Sequence, residues 1–337
     1  MYFNFSKMIF FICLILGSML TISSSSFLGA WMGLEINLLS FIPLMIDMDN
    51  LMTTEATLKY FLNQVMASLI LLFMMIFIMN NSFLLFINKF YPLYLIIILC
   101  TMLMKSGGAP FHFWLPQVMS KINWNNNLIL MTIQKLAPMV IISYLINDMF
   151  MSFIIILNMI FSTISGFNQL SIRKIMAFSS INHMGWMFLA LMVNETLWMN
   201  YYLFYCFFSI TIVYFMKTYN LFFINQGFSL KINFLSKFAI FCSFLSLGGL
   251  PPFLGFFPKW LTIQFAVNFN FLLMLIMVLS SLIVLYFYLR ICYSAFFLFN
   301  NFNSWKYLNF KMKKMGIFNL FMMLSGLFMI SFLFMFF

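Results

Sequence analysis

Along this chain, about eleven mostly apolar stretches follow one another, each near the roughly 20 residues a helix needs to cross the hydrocarbon of a bilayer. They cover residues 4–23, 26–46, 56–80, 92–120, 128–146, 149–169, 175–194, 196–222, 237–267, 270–295 and 315–336. Of the 337 residues, 65% are hydrophobic and only 7% are charged. Soluble domains carry about 25% charged residues, and even a large one buries only about 75% of the surface its unfolded chain exposes. A soluble fold has nowhere to put this much apolar surface. Lipid accepts only helices or closed barrels, because backbone N–H and C=O groups find no water there. The runs lack the period-two alternation of barrel strands, so the expected fold is an all-α polytopic membrane protein.

The charges test the helix count. There are 17 Lys and Arg against 6 Asp and Glu, a formal net charge of +11. On a soluble protein this would suggest nucleic acid. Here the basic residues are scattered singly between apolar runs, and no nucleic-acid partner is expected. With eleven spans, the loops alternate between two faces. Lys7, Lys59, Lys121, Arg173, Lys174, Lys231, Lys237, Lys306, Lys311, Lys313 and Lys314 fall on the N-terminal face, with Lys217 and Arg290 near span ends on that side. Lys89 alone falls on the other. The positive-inside rule then places the N-terminus in the matrix or cytoplasm and the C-terminus across the membrane. The first apolar run follows Met1 almost directly, so no cleaved leader is expected.

Cys13, Cys100, Cys206, Cys242 and Cys292 lie inside apolar runs without CxxC spacing, and there are two histidines. That argues against a disulfide framework, a zinc site or an iron–sulfur cluster. Phe and Met are abundant, at 50 and 33 residues. This usage fits an AT-rich coding sequence with an extra Met codon, as in animal mitochondria.

The fourth and ninth stretches are unusual. Both run to about 30 residues, longer than a simple span requires, and both carry Gly-Gly-x-Pro: Gly107-Gly108-Ala109-Pro110 and Gly248-Gly249-Leu250-Pro251. Proline removes a backbone donor and clashes with the preceding turn, so each helix should open there. The two stretches cross in opposite directions, as broken helices of inverted-repeat transporters do, with the site near the midplane. About 92–222 would then hold the first inverted repeat, and about 237–336 the rest of the second repeat with a C-terminal helix.

Four charges lie deep in these runs: Glu35, Lys105, Lys135 and Lys259. A charge at the centre of a membrane helix costs a few kcal/mol. Burial disfavours charged forms, so such groups can be neutral in one state and charged in another, as a proton carrier requires. Each also has a plain structural reading: an ion pair for Glu35, capping of a helix end for Lys105, and snorkelling for Lys135 or Lys259. Pro138, close to Lys135, would open the backbone there. His112 and His183 are candidate secondary relays, and equally candidate structural histidines. Gln64, Gln134, Ser179, Ser180 and Asn182 would either hold water between these groups or join helices.

The segments Trp31–Leu44, Lys105–Pro116 and Leu250–Trp260, in this order and spacing, resemble the antiporter-like membrane-arm subunits of respiratory NADH:ubiquinone oxidoreductase. The resemblance covers essentially the whole chain. It implies an antiporter-like fold of two inverted five-helix repeats, each with a broken helix. It also implies a shortened form without three leading helices, whose surface other subunits or lipid would cover. By motif, Glu35 would pair with Lys105, Lys135 would be the central carrier and Lys259 the exit-side one. Separating Glu35 from Lys105 would lower the proton affinity of Lys105 and send its proton towards Lys135 and Lys259. The implied activity is the coupling of NADH oxidation by ubiquinone to proton pumping in the mitochondrial inner membrane. The implied partners are other membrane-arm subunits and phospholipids. No cofactor or metal is expected in this chain: FMN, iron–sulfur clusters and ubiquinone would belong to other subunits. A stand-alone cation/proton antiporter and a non-pumping structural subunit remain alternatives at this point.

Overall fold

The computed structural model describes residues 5–47, 50–80, 91–227, 234–267 and 269–297. The expected span at 315–336 lies outside them. The described residues are helical apart from turns, a 3₁₀ turn at Ile224–Gly227 and one isolated bridge between Ser171 and Phe223. Eight described helices or helix pairs are long and apolar enough to cross a membrane. The chain forms two compact units, Met1–Ile154 and Ile155–Phe337.

In the first unit, α1 (Phe5–Ser23) and α2 (Phe27–Met45) form a tightly packed hairpin. Ser26 caps α2, its hydroxyl accepting from the Gly29 N–H at 3.2 Å. The helices meet through small residues: a Cβ on Gly33 would lie 2.6 Å from Thr21 Cγ2. Without a hydrophobic drive between helices in lipid, such close backbone approach supplies the packing energy. The third helix, α3 (Leu51–Asn80), has 30 residues and is about 45 Å long at 1.5 Å per residue. Its polar first turns therefore extend beyond a hydrocarbon core of about 30 Å. There Glu55 pairs with Lys59 at 2.9 Å and with Lys121. Asp47 pairs with Lys7 at 3.0 Å and bonds Asn123. Lys7, Lys59 and Lys121, placed on one face by the sequence, thus gather at one end of this unit.

The broken span appears as α4 (Tyr91–Ser106) and α5 (Trp114–Lys121). Gly107 has φ +77°, a conformation that costs a residue with a Cβ about 1–2 kcal/mol. The Gly107 and Gly108 N–H groups both donate to the Leu103 carbonyl, at 2.9 and 3.0 Å, closing the helix as a Schellman cap. The next span is interrupted too, between α6 (Trp124–Met131) and α7 (Ile133–Ser143). The interruption falls at Thr132, whose ψ is −87°, and not at Pro138, where an opening was expected. Pro138 lies inside α7, whose helix continues past it. The helix α3 packs against α2, α4 and α5, and α7 against α1, α2, α4 and α6.

In the second unit, α8 (Asp148–Gly166), which begins in the first, is followed by α9 (Ile172–Val193), α10 (Glu195–Thr218), α11 (Phe234–Gly248), α12 (Phe256–Ala266) and α13 (Phe271–Phe297). The centre is α9, buried throughout its apolar window and packed against α10, α12 and α13. The second break repeats the first: Gly249 has φ +78°, and the Gly249 and Leu250 N–H groups donate to the Leu245 carbonyl at 3.1 and 3.4 Å.

Most serine and threonine hydroxyls in the helices donate to a carbonyl three or four residues back in their own helix. Examples are Ser18 to Ile15, Thr21 to Ser18, Ser179 to Met176 and Ser180 to Ala177, at 2.7–2.8 Å. These bonds satisfy the hydroxyl within its own helix.

Candidate functional site

The first break sets the position of Lys105. A capped helix end leaves carbonyls that need partners in lipid. Gln64 Nε2 on α3 donates to the Lys105 carbonyl at 3.1 Å, and Trp114 Nε1 on α5 donates to the Met104 carbonyl at 3.1 Å. These two carbonyls are thereby satisfied without the lysine head. Lys105 Nζ instead faces Glu35 Oε1 on α2 at 3.8 Å. Neither atom has a hydrogen-bond partner among the described residues. The pair is electrostatic, held at arm's length. The Lys105 side chain is 4% exposed and the Glu35 side chain 22%.

Beside the pair lies a cavity of about 10 Å³, lined by Leu34, Asn37, Leu38, Tyr60, Gln64, Lys105, Gln134 and Pro138. That is about the smallest space that accommodates one water, and five of its lining residues are polar. Gln134 Nε2 donates to Asn37 Oδ1 at 2.8 Å, and the Tyr60 hydroxyl donates to Gln134 Oε1 at 3.3 Å. Tyr60 is held by edge contacts with Phe41 and Trp114, at ring separations of 5.3 and 5.7 Å. Gln134 precedes Lys135, which is 1% exposed in the first turn of α7. The Thr132 interruption frees the start of this turn, where the Lys135 N–H donates to the Thr132 carbonyl at 2.9 Å. His112 is buried just before α5 with its ring stacked on Phe113, and it does not line the cavity.

In the second unit, Lys259 is 5% exposed in the first turn of α12. Its Nζ reaches back across the break and donates to the Gly248 carbonyl at 2.8 Å. Helix-end capping, one of the readings open for Lys105, is made by Lys259 at the other break. On α9, His183 Nδ1 lies 2.9 Å from the Tyr201 hydroxyl. A second cavity of about 10 Å³ is lined by His183, Tyr201, Tyr205, Phe208, Ser246, Leu247, Gly255 and Pro258. Asn182 reaches Ser162 Oγ at 3.4 Å.

Glu35, Lys105, Gln64 and Gln134 thus come together in one unit, and His183 and Lys259 flank the second break in the other. The sequence reading missed Asn37, Tyr60, Thr132 and Tyr201. Tyr201 and Tyr205 stand four apart on one helix and so share a face, a spacing visible in the sequence. Thr132 gave no such sign.

The family description "NADH:quinone oxidoreductase/Mrp antiporter, TM" matches residues 24–284. The chain is 54% identical to NADH-ubiquinone oxidoreductase chain 2 of Anopheles gambiae, covering 97% of both chains. It is 45% identical to the chain of that name from Locusta migratoria, covering 90% of both. Among solved structures, a chain of respiratory complex I from Thermus thermophilus superposes with a TM-score of 0.82 at 22% identity, over 96% of this chain and 78% of that one. A chain of the Mrp complex from Dietzia sp. gives 0.75 at 19% identity, over 85% of this chain and 60% of that one. These two likenesses concern the fold, which is that of the antiporter-like membrane subunits. By sequence and by fold, the chain belongs to the NADH:quinone oxidoreductase/Mrp antiporter membrane family, and within it to the NADH-ubiquinone oxidoreductase chain 2 proteins.

Proposed function

We propose that this chain is the proton-translocating membrane-arm subunit of NADH:ubiquinone oxidoreductase in the mitochondrial inner membrane, with its N-terminus in the matrix and its C-terminus in the intermembrane space. In this reading Glu35, Lys105, Lys135 and Lys259 carry the translocated charge, His112 and His183 are secondary relays, and the redox groups belong to other subunits. Other membrane-arm subunits and phospholipids surround the chain. The observation that carries the proposal is the Glu35–Lys105 pair, 3.8 Å apart beside a helix break and a water-sized polar cavity.

A pair at that distance attracts by about 4 kcal/mol at an effective dielectric constant near 20. Moving one charge against 100 mV takes about 2.3 kcal/mol. Making or breaking this contact is thus large enough to drive one proton step. With Glu35 turned away, the buried Lys105 ammonium has lost its counter-charge, and its proton leaves through the cavity along Tyr60 and Gln134 towards α7, where Lys135 is the acceptor. Quinone reduction elsewhere in the complex supplies the displacement of Glu35.

The test is Lys135→Met in the assembled complex. A carrier role requires NADH-driven proton pumping or quinone reduction to fall tenfold or more while the complex still assembles at full size on a native gel. Normal pumping in that variant, or loss of assembly together with activity, would return Lys135 to a structural role.

A further inference from the structure

Lys259 lacks what Lys105 has. From residue 155 onward the sequence holds one acidic residue, Glu195, and it is exposed at the start of α10. No carboxylate pairs with Lys259 among the described residues, yet its ammonium is buried. An isolated buried charge is strongly unfavourable, so this head needs compensation of another kind. Two groups supply it. One is the Gly248 carbonyl at 2.8 Å, at the C-terminal end of α11, where the helix dipole favours a cation. The other is the indole of Trp186, over whose ring Lys259 Nζ sits 5.9 Å from the centroid.

Trp186 is a costly residue to keep there. It is fully buried, and its indole N–H has no hydrogen-bond partner among the described residues. A buried tryptophan usually finds one. The ring meets Lys259 with its face and leaves its donor unused. At the neighbouring Gly185 the Met159 side chain of α8 comes close, its Cε 2.6 Å from where a Cβ would stand. Gly249 completes the arrangement. A Cβ on it would lie 2.9 Å from Lys259 Cδ and 3.1 Å from Nζ, so the lysine stem lies on bare backbone.

We propose that Trp186 is a positioning residue for Lys259, its ring face serving as the neutral counter-group that lets a proton reside on this lysine, which no carboxylate pairs with among the described residues. The inference rests on the proposal that Lys259 carries a proton. It divides the two breaks by chemistry. The first holds its cation against a fixed charge, whereas the second uses a carbonyl and a π-face, which stabilise an ammonium without binding it as strongly. A group that must release its proton is suited by the weaker hold.

The titratable groups turned towards this end of α12 are His183 from α9, Tyr201 and Tyr205 from α10, and Tyr288 from α13, whose ring lies beside Gly248. The experiment must separate Lys259 from these. NADH-driven proton pumping is measured against pH in inner-membrane vesicles carrying Trp186→Leu, Trp186→Phe, Lys259→Met and the Lys259→Met/Trp186→Leu double variant, with assembly checked on native gels. Trp186→Leu is expected to move the alkaline limb of the profile about one pH unit towards acid, a tenfold change in the proton equilibrium. Trp186→Phe retains a weaker face and is expected to move it about 0.3 unit in the same direction. In the Lys259→Met background Trp186→Leu should change nothing further. If Trp186→Leu fails to assemble, Trp186→Phe decides alone, and a profile superimposable on the native one overturns the inference. Equal shifts in the Leu and Phe variants, or a Trp186→Leu effect that persists without Lys259, also overturn it. Normal pumping in Lys259→Met alone would instead remove the carrier role on which the inference rests.

Discussion

Replacing Glu35 by glutamine tests the proposed coupling most directly, because the amide keeps the volume and removes the charge. In the native chain the two charges stand 3.8 Å apart. At an effective dielectric constant of 20 the attraction is about 4 kcal/mol, and at 40 about 2 kcal/mol. The lower figure allows for the 22% exposure of the Glu35 side chain. Loss of one partner of a buried pair leaves the other uncompensated, a cost of about 3–5 kcal/mol in well-buried cases. A penalty of about 2–4 kcal/mol on the charged form of Lys105 corresponds to roughly 30- to 1,000-fold in its occupancy, at 1.36 kcal/mol per decade. The expected outcome is a complex of normal size on a native gel whose NADH-driven proton pumping falls at least tenfold. Glu35→Asp, which lengthens the gap by about one bond, should retain intermediate activity. The double variant Glu35→Gln/Lys105→Met separates coupling from damage. If the two residues act as a pair, adding Glu35→Gln to Lys105→Met costs little more, because contacting residues are non-additive. Pumping by assembled Glu35→Gln within twofold of normal, or fully additive losses in the double variant, would refute the reasoning.

Two further outcomes follow from the cavity and the breaks. Tyr60→Phe removes the 3.3 Å bond to Gln134 and leaves the aromatic contacts, so assembly should be unchanged at a stability cost of about 1 kcal/mol, while pumping falls several-fold more than NADH-driven quinone reduction. Gly249→Ala places a Cβ at φ +78° and 2.9 Å from Lys259 Cδ. The backbone term alone is about 1–2 kcal/mol, so thermal stability on native gels should drop, with a larger loss in pumping than Ala substitution at an unstrained helical glycine causes.

The sequence made the spans legible because hydropathy is additive along a helix and lipid imposes one length. It placed both breaks because Gly-Gly-x-Pro states its geometry locally: Gly107 and Gly249 each take the left-handed conformation that ends α4 and α11. Thr132 has no such local cause. No Gly or Pro marks its interruption between α6 and α7, and Pro138 drew attention to the wrong turn. The partner of Glu35 was legible only through family resemblance, since no local rule links residues 70 positions apart on different helices. Lys259 showed its burial but not its compensation. Its carbonyl lies eleven residues back across a break and its aromatic face on another helix, and neither distance is encoded in spacing. Helix-end capping, one of two readings open for Lys105, is made at the other break by Lys259, whereas Gln64 and Trp114 bond the Lys105 and Met104 carbonyls at the first.

The hydroxyls that bond back into their own helices have a further consequence for how such a chain ages. A hydroxyl whose hydrogen bond closes within one turn sends no bond of its own to a neighbouring helix, and Ser18 and Thr21 are of this kind. Exchange of such a hydroxyl for alanine or cysteine removes no hydrogen bond between helices. Gln64, Gln134 and Asn182 have no such liberty, because each bonds a different helix. Polar residues in this membrane core thus divide into those that drift and those that anchor, and the boundary between them is set by where each hydrogen bond lands.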